Sequence, residues 1–187
     1  MRTVLFILIL QIQILLANPT THTRFKHYFI YPHTKAEIST LLHDESPIYQ
    51  DGKIYHGSTR WDIRYNYKYR KIGNQCKIYK ADVTLDIIYT MPKLLYPEQI
   101  EKNIRNTFKN YYNALFKHER NHMKYAENAA RETEQFLLHY KGRCNSIKYD
   151  IRKKTTKIFN NCKKINRNYD QRTGHGRTEG VNVSNFF

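Results

Sequence analysis

The feature that most constrains this chain is a stretch from Glu98 to Tyr140 that contains neither Gly nor Pro and follows Pro97, a residue suited to a helix's first turn. Along it Ile100, Ile104, Phe108, Tyr111, Leu115, His118, His122, Tyr125, Ala129, Thr133 and Phe136 recur at steps of three and four. That spacing predicts one largely apolar helical face, either as one long helix or as two with a break near Asn110 to Asn113, ended by Gly142. Two histidines interrupt the apolar stripe. Imidazoles on an inward face need polar partners, so the segment His118-Glu119-Arg120-Asn121-His122 draws attention.

Residues four apart share one helix face, so His118 and His122 can grip one metal ion. Glu119, beside the first of them, is placed to act as general base toward a metal-activated water. A catalytic zinc takes a third protein ligand and keeps one position open. The same helix does not offer it readily, since Glu127, nine residues after His118, points to the opposite face at about 100° per residue. The extended motif that would add Gly and His further along is excluded by Tyr125 and Asn128. The third ligand is therefore expected from the chain's end, where His175 and Glu179 are available; His175, between Gly174 and Gly176, is favoured.

The region before Pro92 reads differently. Trp61, Ile63, Tyr65, Tyr67 and Tyr69 alternate with polar residues, as do Val83, Leu85, Ile87 and Tyr89. A period of two marks half-buried strands. Asp51-Gly52 and Gly73-Asn74 are turn signals. His27 to Tyr31 is a short apolar-aromatic run, and Thr34 to His43 is a candidate short helix. A last helix is expected at about Ile147 to Asn166, then irregular chain from Tyr169. The expected fold class is α+β: a small, mostly antiparallel sheet packed on the long motif-bearing helix and a C-terminal helix.

Arg2, the apolar run Val4 to Leu16 and the small Ala17 describe a secretory signal peptide, with an uncleaved anchor as the alternative. No other segment could span a membrane. The expected organisation is a signal peptide at 1–17, one domain at 18–180 and a tail at 181–187. Among 187 residues, 32 Lys and Arg against 16 Asp and Glu give a net charge of +16, spread along the chain rather than clustered. This fits a solvated basic surface attracted to anionic envelope polymers; with an export signal, nucleic acid is the weaker reading. Export also implies oxidation of two of the three cysteines. If Cys144 and Cys162 flank one helix they lie about 27 Å apart, too far for a bond that needs about 7 Å or less. Cys76 must then pair with one of the other two.

Taken together, certain residues resemble the uncharacterised bacterial family of predicted secreted zinc-dependent proteases. The resemblance runs from about Tyr28 to Gly180. It rests on Tyr55-His56-Gly57-Ser58-Thr59-Arg60-Trp61, on Cys76 after a turn, on Pro92, and on Leu115-x-x-His118-Glu119-x-x-His122-x-x-x-Ala126. It continues with Cys144 and with Tyr169-Asp170-x-x-Thr173-x-His175-Gly176. One departure is tyrosine at 65 and 112, where that pattern carries Trp. The resemblance implies a compact zincin-like fold, one zinc ion on His118, His122 and His175, and a Cys76–Cys144 disulfide. Tyr169 is a candidate donor to an oxyanion and Asp170 a candidate to orient a ligand histidine. The expected function is an exported metallopeptidase acting on peptide or protein substrates. Its rivals are an amidase of cell-wall peptides and a non-catalytic, zinc-stabilised binding module.

Overall fold

A computed structural model describes residues 18–186; the expected signal peptide lies outside the described residues. The mixed α+β domain contains a main sheet, a small two-stranded sheet and three helices. The alternating segments form β4 (Ser58–Ile72) and β5 (Gln75–Leu94), joined at Gly73-Asn74 into an antiparallel hairpin. Val83, Leu85, Ile87, Tyr89 and Met91 of β5 are all buried, which is why this strand is central. β4 covers one edge of β5. On the opposite edge, β1 (Thr20–Ile30) pairs with residues 84–94 and β6 (Lys141–Arg143) with residues 75–77.

β1 runs parallel to β5, a departure from the antiparallel neighbourhood that local patterning suggests. The reason is the connection. After β1 the chain forms α1 (Lys35–Asp44), capped by the Thr34 hydroxyl accepting from the Glu37 amide, and then the hairpin β2 (Ile48–Gln50) and β3 (Lys53–Tyr55) around Asp51-Gly52. This connection carries the chain past the end of β5 to its other edge, and β4 then runs back, so that β5 sets out in the same direction as β1.

The long Gly- and Pro-free stretch is one unbroken helix, α2 (Lys102–His139). It starts later than expected, because Pro97 lies in a short 3-10 turn and Ile100 is extended. Ile104, Phe108, Tyr111, Leu115, Ala126, Ala129, Ala130 and Leu137 pack into the core. Gly142 does not end the helix; it sits within β6, opposite Cys76.

α3 (Ile147–Thr173) runs well past the expected end at Asn166 and stops at Gly174, whose left-handed backbone caps it. Tyr169 and Asp170 therefore belong to a helix rather than to irregular chain. Ile151, Thr155, Ile158, Cys162, Tyr169 and Thr173 form the buried stripe that faces α2 and the sheet. The Cys76–Cys144 disulfide, with Cα atoms 4.9 Å apart, ties β5 to the start of α3, and Cys162 is a buried free thiol. The chain's end is also part of the fold: Phe186 is buried with its ring 5.2 Å from that of Tyr111. No helix among the described residues is long and apolar enough to cross a membrane. The disulfide points to an oxidising, extracytoplasmic compartment.

Candidate metal centre

α2 and α3 form an antiparallel hairpin of helices around the short β6. His122 lies 17 residues before the end of α2 and Asn166 lies 19 residues after the start of α3. Both positions are thus about 25–29 Å from the connection, which brings the middle of α2 against the end of α3. On α3, Asn166, Tyr169, Asp170 and Thr173 follow at helical spacing, so they share the face turned toward His118 and His122.

The ring nitrogens converge. His118 Nε2 and His122 Nε2 are 3.3 Å apart, and Asp170 Oδ1 lies 3.2 Å from the first and 2.9 Å from the second. Both histidines are buried, and the three side chains form a group that could hold a metal ion. The other ring nitrogens are committed. His122 Nδ1 is 2.6 Å from Asn166 Oδ1, and the Asn166 amide group donates to the Cys162 carbonyl, which fixes its oxygen toward the imidazole. His118 Nδ1 is 2.9 Å from Glu179 Oε2. Both Nδ1 atoms therefore carry hydrogen and donate outward, and both Nε2 lone pairs point at each other and at a carboxylate.

Such an arrangement repels itself unless a cation lies within it, either a metal ion or protons on the rings with Asp170 as counterion. Burial alone would lower the pKa of both imidazoles. The hydrogen bonds to Asp170, helped by Glu179 at His118 and the Glu119 charge at His122, outweigh burial and hold both above the ordinary range. Burial would likewise raise Asp170, but the two imidazoles keep it well below the usual carboxylate range. The site thus draws positive charge strongly. Tetrahedral zinc with ligands at about 2.0–2.1 Å would set its donor atoms about 3.3 Å apart. The observed spacings of 2.9 to 3.3 Å come close to this, so the donor set fits such an ion.

Glu119 is 4% exposed and faces the same cleft. Burial raises its pKa against the pull of His122 and the Thr59 hydrogen bond. The Thr59 hydroxyl, 2.7 Å from Glu119 Oε2 and 3.0 Å from the Glu119 carbonyl, shares its proton between them. Gly57 is what permits this approach: a Cβ there would sit 3.1 Å from Glu119 Oε1 and 2.9 Å from a Leu115 methyl. Gly176 does the same behind His118. Its φ of +84° and a would-be Cβ contact of 3.0 Å to the His118 ring leave no room for another residue, and the turn it makes brings Glu179 to His118 Nδ1.

Two residues singled out in the sequence stand elsewhere than expected. His175 is at the mouth of the cleft, half exposed, with Nδ1 3.9 Å from Asp170 and its ring 4.6 Å from that of Tyr55. Asp170, rather than His175, meets the two Nε2 atoms, because α3 continues through it. Tyr169 stacks on His118 at 4.9 Å, donates to Glu179 at 2.6 Å and accepts from Asn121 at 2.8 Å. Its hydroxyl is committed behind the rings, so it positions Glu179 and His118 rather than facing an oxyanion. Thr59, Asn166 and Asn121 were not among the candidate residues. Asn166 had a readable signal, since it lies four residues before Asp170 in a stretch with no Gly or Pro until Gly174. Thr59 had only its place in the Tyr55–Trp61 run.

The site opens into a cleft of about 860 Å³ walled by Tyr55 to Trp61 on one side and the end of α3 on the other. A mixed α+β domain with a His-His-Asp group and a buried glutamate at the floor of a cleft is the class of protein the geometry defines. Within that class, the chain belongs to the bacterial family described as a protein of unknown function (DUF922), which matches residues 25–176. No curated protein and no solved structure matches it.

Proposed function

We propose that this protein is an exported zinc-dependent peptidase in which His118, His122 and Asp170 hold one zinc ion and Glu119 is the general base. The observation that carries the reading is the convergence of two imidazole Nε2 atoms on a carboxylate, each Nδ1 being held from behind, beside a buried glutamate in a cleft. Outward donation from Nδ1 is the usual orientation of metal-binding histidine. Zinc bound there would supply Lewis acidity toward a peptide carbonyl and the attacking water.

The chain's own groups do the rest. Glu119 accepts a proton as the water's oxygen bonds to the carbonyl carbon, then returns it to the departing amine as the C–N bond breaks. The Thr59 hydroxyl holds Glu119 Oε2 in place. Glu179 and Asn166 orient the two rings, and Tyr169 braces Glu179. In this reading the arrangement is zincin-like, with the carboxylate of Asp170 as third ligand and export directed by the N-terminal apolar run.

Glu119→Gln is the direct test. The variant is expected to keep one zinc per chain and to lose peptide turnover by about 10²–10⁴-fold, the usual worth of a general base. Zinc-free wild-type protein, or undiminished turnover in the variant, overturns the proposal.

A further inference from the structure

Three basic residues line the α3 side of the cleft: Lys163 and Arg167 from α3, and Arg177 from the turn beyond it. All three are exposed, and none has a carboxylate within 4.0 Å among the described residues. Glu119 and Asp170 are committed at the floor, which leaves Asp51 as the one other acid in the lining. Unpaired cations are therefore gathered along the α3 wall, with the acids at the centre.

From this we infer that the cleft selects acidic polypeptide segments, with carboxylate side chains flanking the bond that lies over the floor. The inference rests on the peptidase reading for what happens at the floor, but the charge selection belongs to the α3 wall. Spacing supports it. Lys163 and Arg167 are one turn apart on α3, a rise of about 6 Å. Side chains on one face of an extended peptide repeat every two residues, or about 6.6 Å. Carboxylates two residues apart can thus meet Lys163 and Arg167 in turn, with Arg177 beyond them at the end of α3.

The floor distinguishes a peptide from a phosphate polymer. A polynucleotide or polyphosphate carries a charge on every unit and would set one against Glu119, whereas a peptide places a neutral amide there. The wall opposite α3 includes the start of β4, which pairs only with β5 among the described residues. Its other edge offers backbone donors and acceptors to an extended chain.

The test is calorimetric titration of zinc-loaded Glu119→Gln protein with three peptides of equal length and identical apart from alternate positions, which carry Glu, Gln or Lys. The Glu peptide is expected to bind roughly tenfold or more tightly than the other two, as two or three partly exposed ion pairs allow, and to weaken as salt rises. Adding Lys163→Glu and Arg167→Glu should reverse the order in favour of the Lys peptide, an outcome that misfolding cannot imitate. Equal affinity for the Glu and Gln peptides overturns the inference. So does tighter binding of single-stranded DNA or polyphosphate that the double charge reversal abolishes. Turnover of the same peptides by wild-type protein separates the two proposals. Cleavage without charge preference overturns the acidic selection and leaves the peptidase standing; charge-selective binding without cleavage does the reverse.

Discussion

The two ends of α3 are held by opposite means. At its start, Cys144 is bonded to Cys76, β6 pairs with β5, and the Tyr140 and Ser146 hydroxyls both donate to Asp150 at 2.8 Å. At its finish, Asn166, Tyr169 and Asp170 meet α2 through hydrogen bonds and converging lone pairs. The first end is closed by covalent bonding and satisfied polar groups. The second adds to its packing and hydrogen bonds a cluster of converging acceptors that favours positive charge. A helix clasped at one end presents its other end in a narrow range of positions, which is what a metal site needs: donors held close without being so self-satisfied that an ion adds nothing.

This contrast can be broken at either end, and the expected effects fall in order. Replacing Cys76 and Cys144 by Ser removes a link spanning 68 residues and should cost about 4 kcal/mol by chain entropy, read as a lower denaturation midpoint. A shift near zero would mean the start of α3 holds itself. Asp170→Ala should lower zinc affinity beyond the roughly 100-fold that loss of an outer partner costs, while His175→Ala should leave zinc content near that of the wild type. The reverse result would return the third-ligand place to His175.

Asn166→Ala, which frees His122 Nδ1, should weaken zinc by about 10–100-fold with stoichiometry unchanged. Binding unaltered by that change would mean the ring needs no orientation. The smallest effect concerns dynamics. Chelating the metal should speed amide exchange from Cys162 to Thr173 and leave Ile147 to Ile158 nearly as protected as before. Uniform loosening along α3 would show that the disulfide end is no firmer than the metal end.

Much of this was legible beforehand. The alternation in β4 and β5, the Asp51-Gly52 turn and the short helix read at Thr34 to His43 follow from local rules, and the structure has them, the helix as Lys35–Asp44. The helical stripe placed His118 and His122 on one inward face, and both are buried there. The separation of Cys144 and Cys162 along one helix spoke against their bonding and left Cys76 two partners; the family resemblance implied Cys144, and that is the pair formed. Less legible was the end of α3. Irregular chain was expected from Tyr169, where polar residues and three later glycines dilute the pattern. The helix persists because Cys162, Tyr169 and Thr173 are still buried, the Tyr169 ring against His118, His122 and Tyr125 of α2.

The amino-acid order by itself determined which side chains share a face, since periods of 2 and 3.6 are properties of neighbouring residues. It thereby determined the histidine pair, with Glu119 beside it. Only the tertiary structure decided what meets that pair: Asp170 rather than His175 at the convergence, Glu179 and Asn166 behind the rings, Thr59 on Glu119, and β1 parallel to β5. The physical reason is that a contact between distant segments depends on where each element ends and how its buried face docks. Those outcomes arise from packing over the whole core and have no counterpart in local spacing.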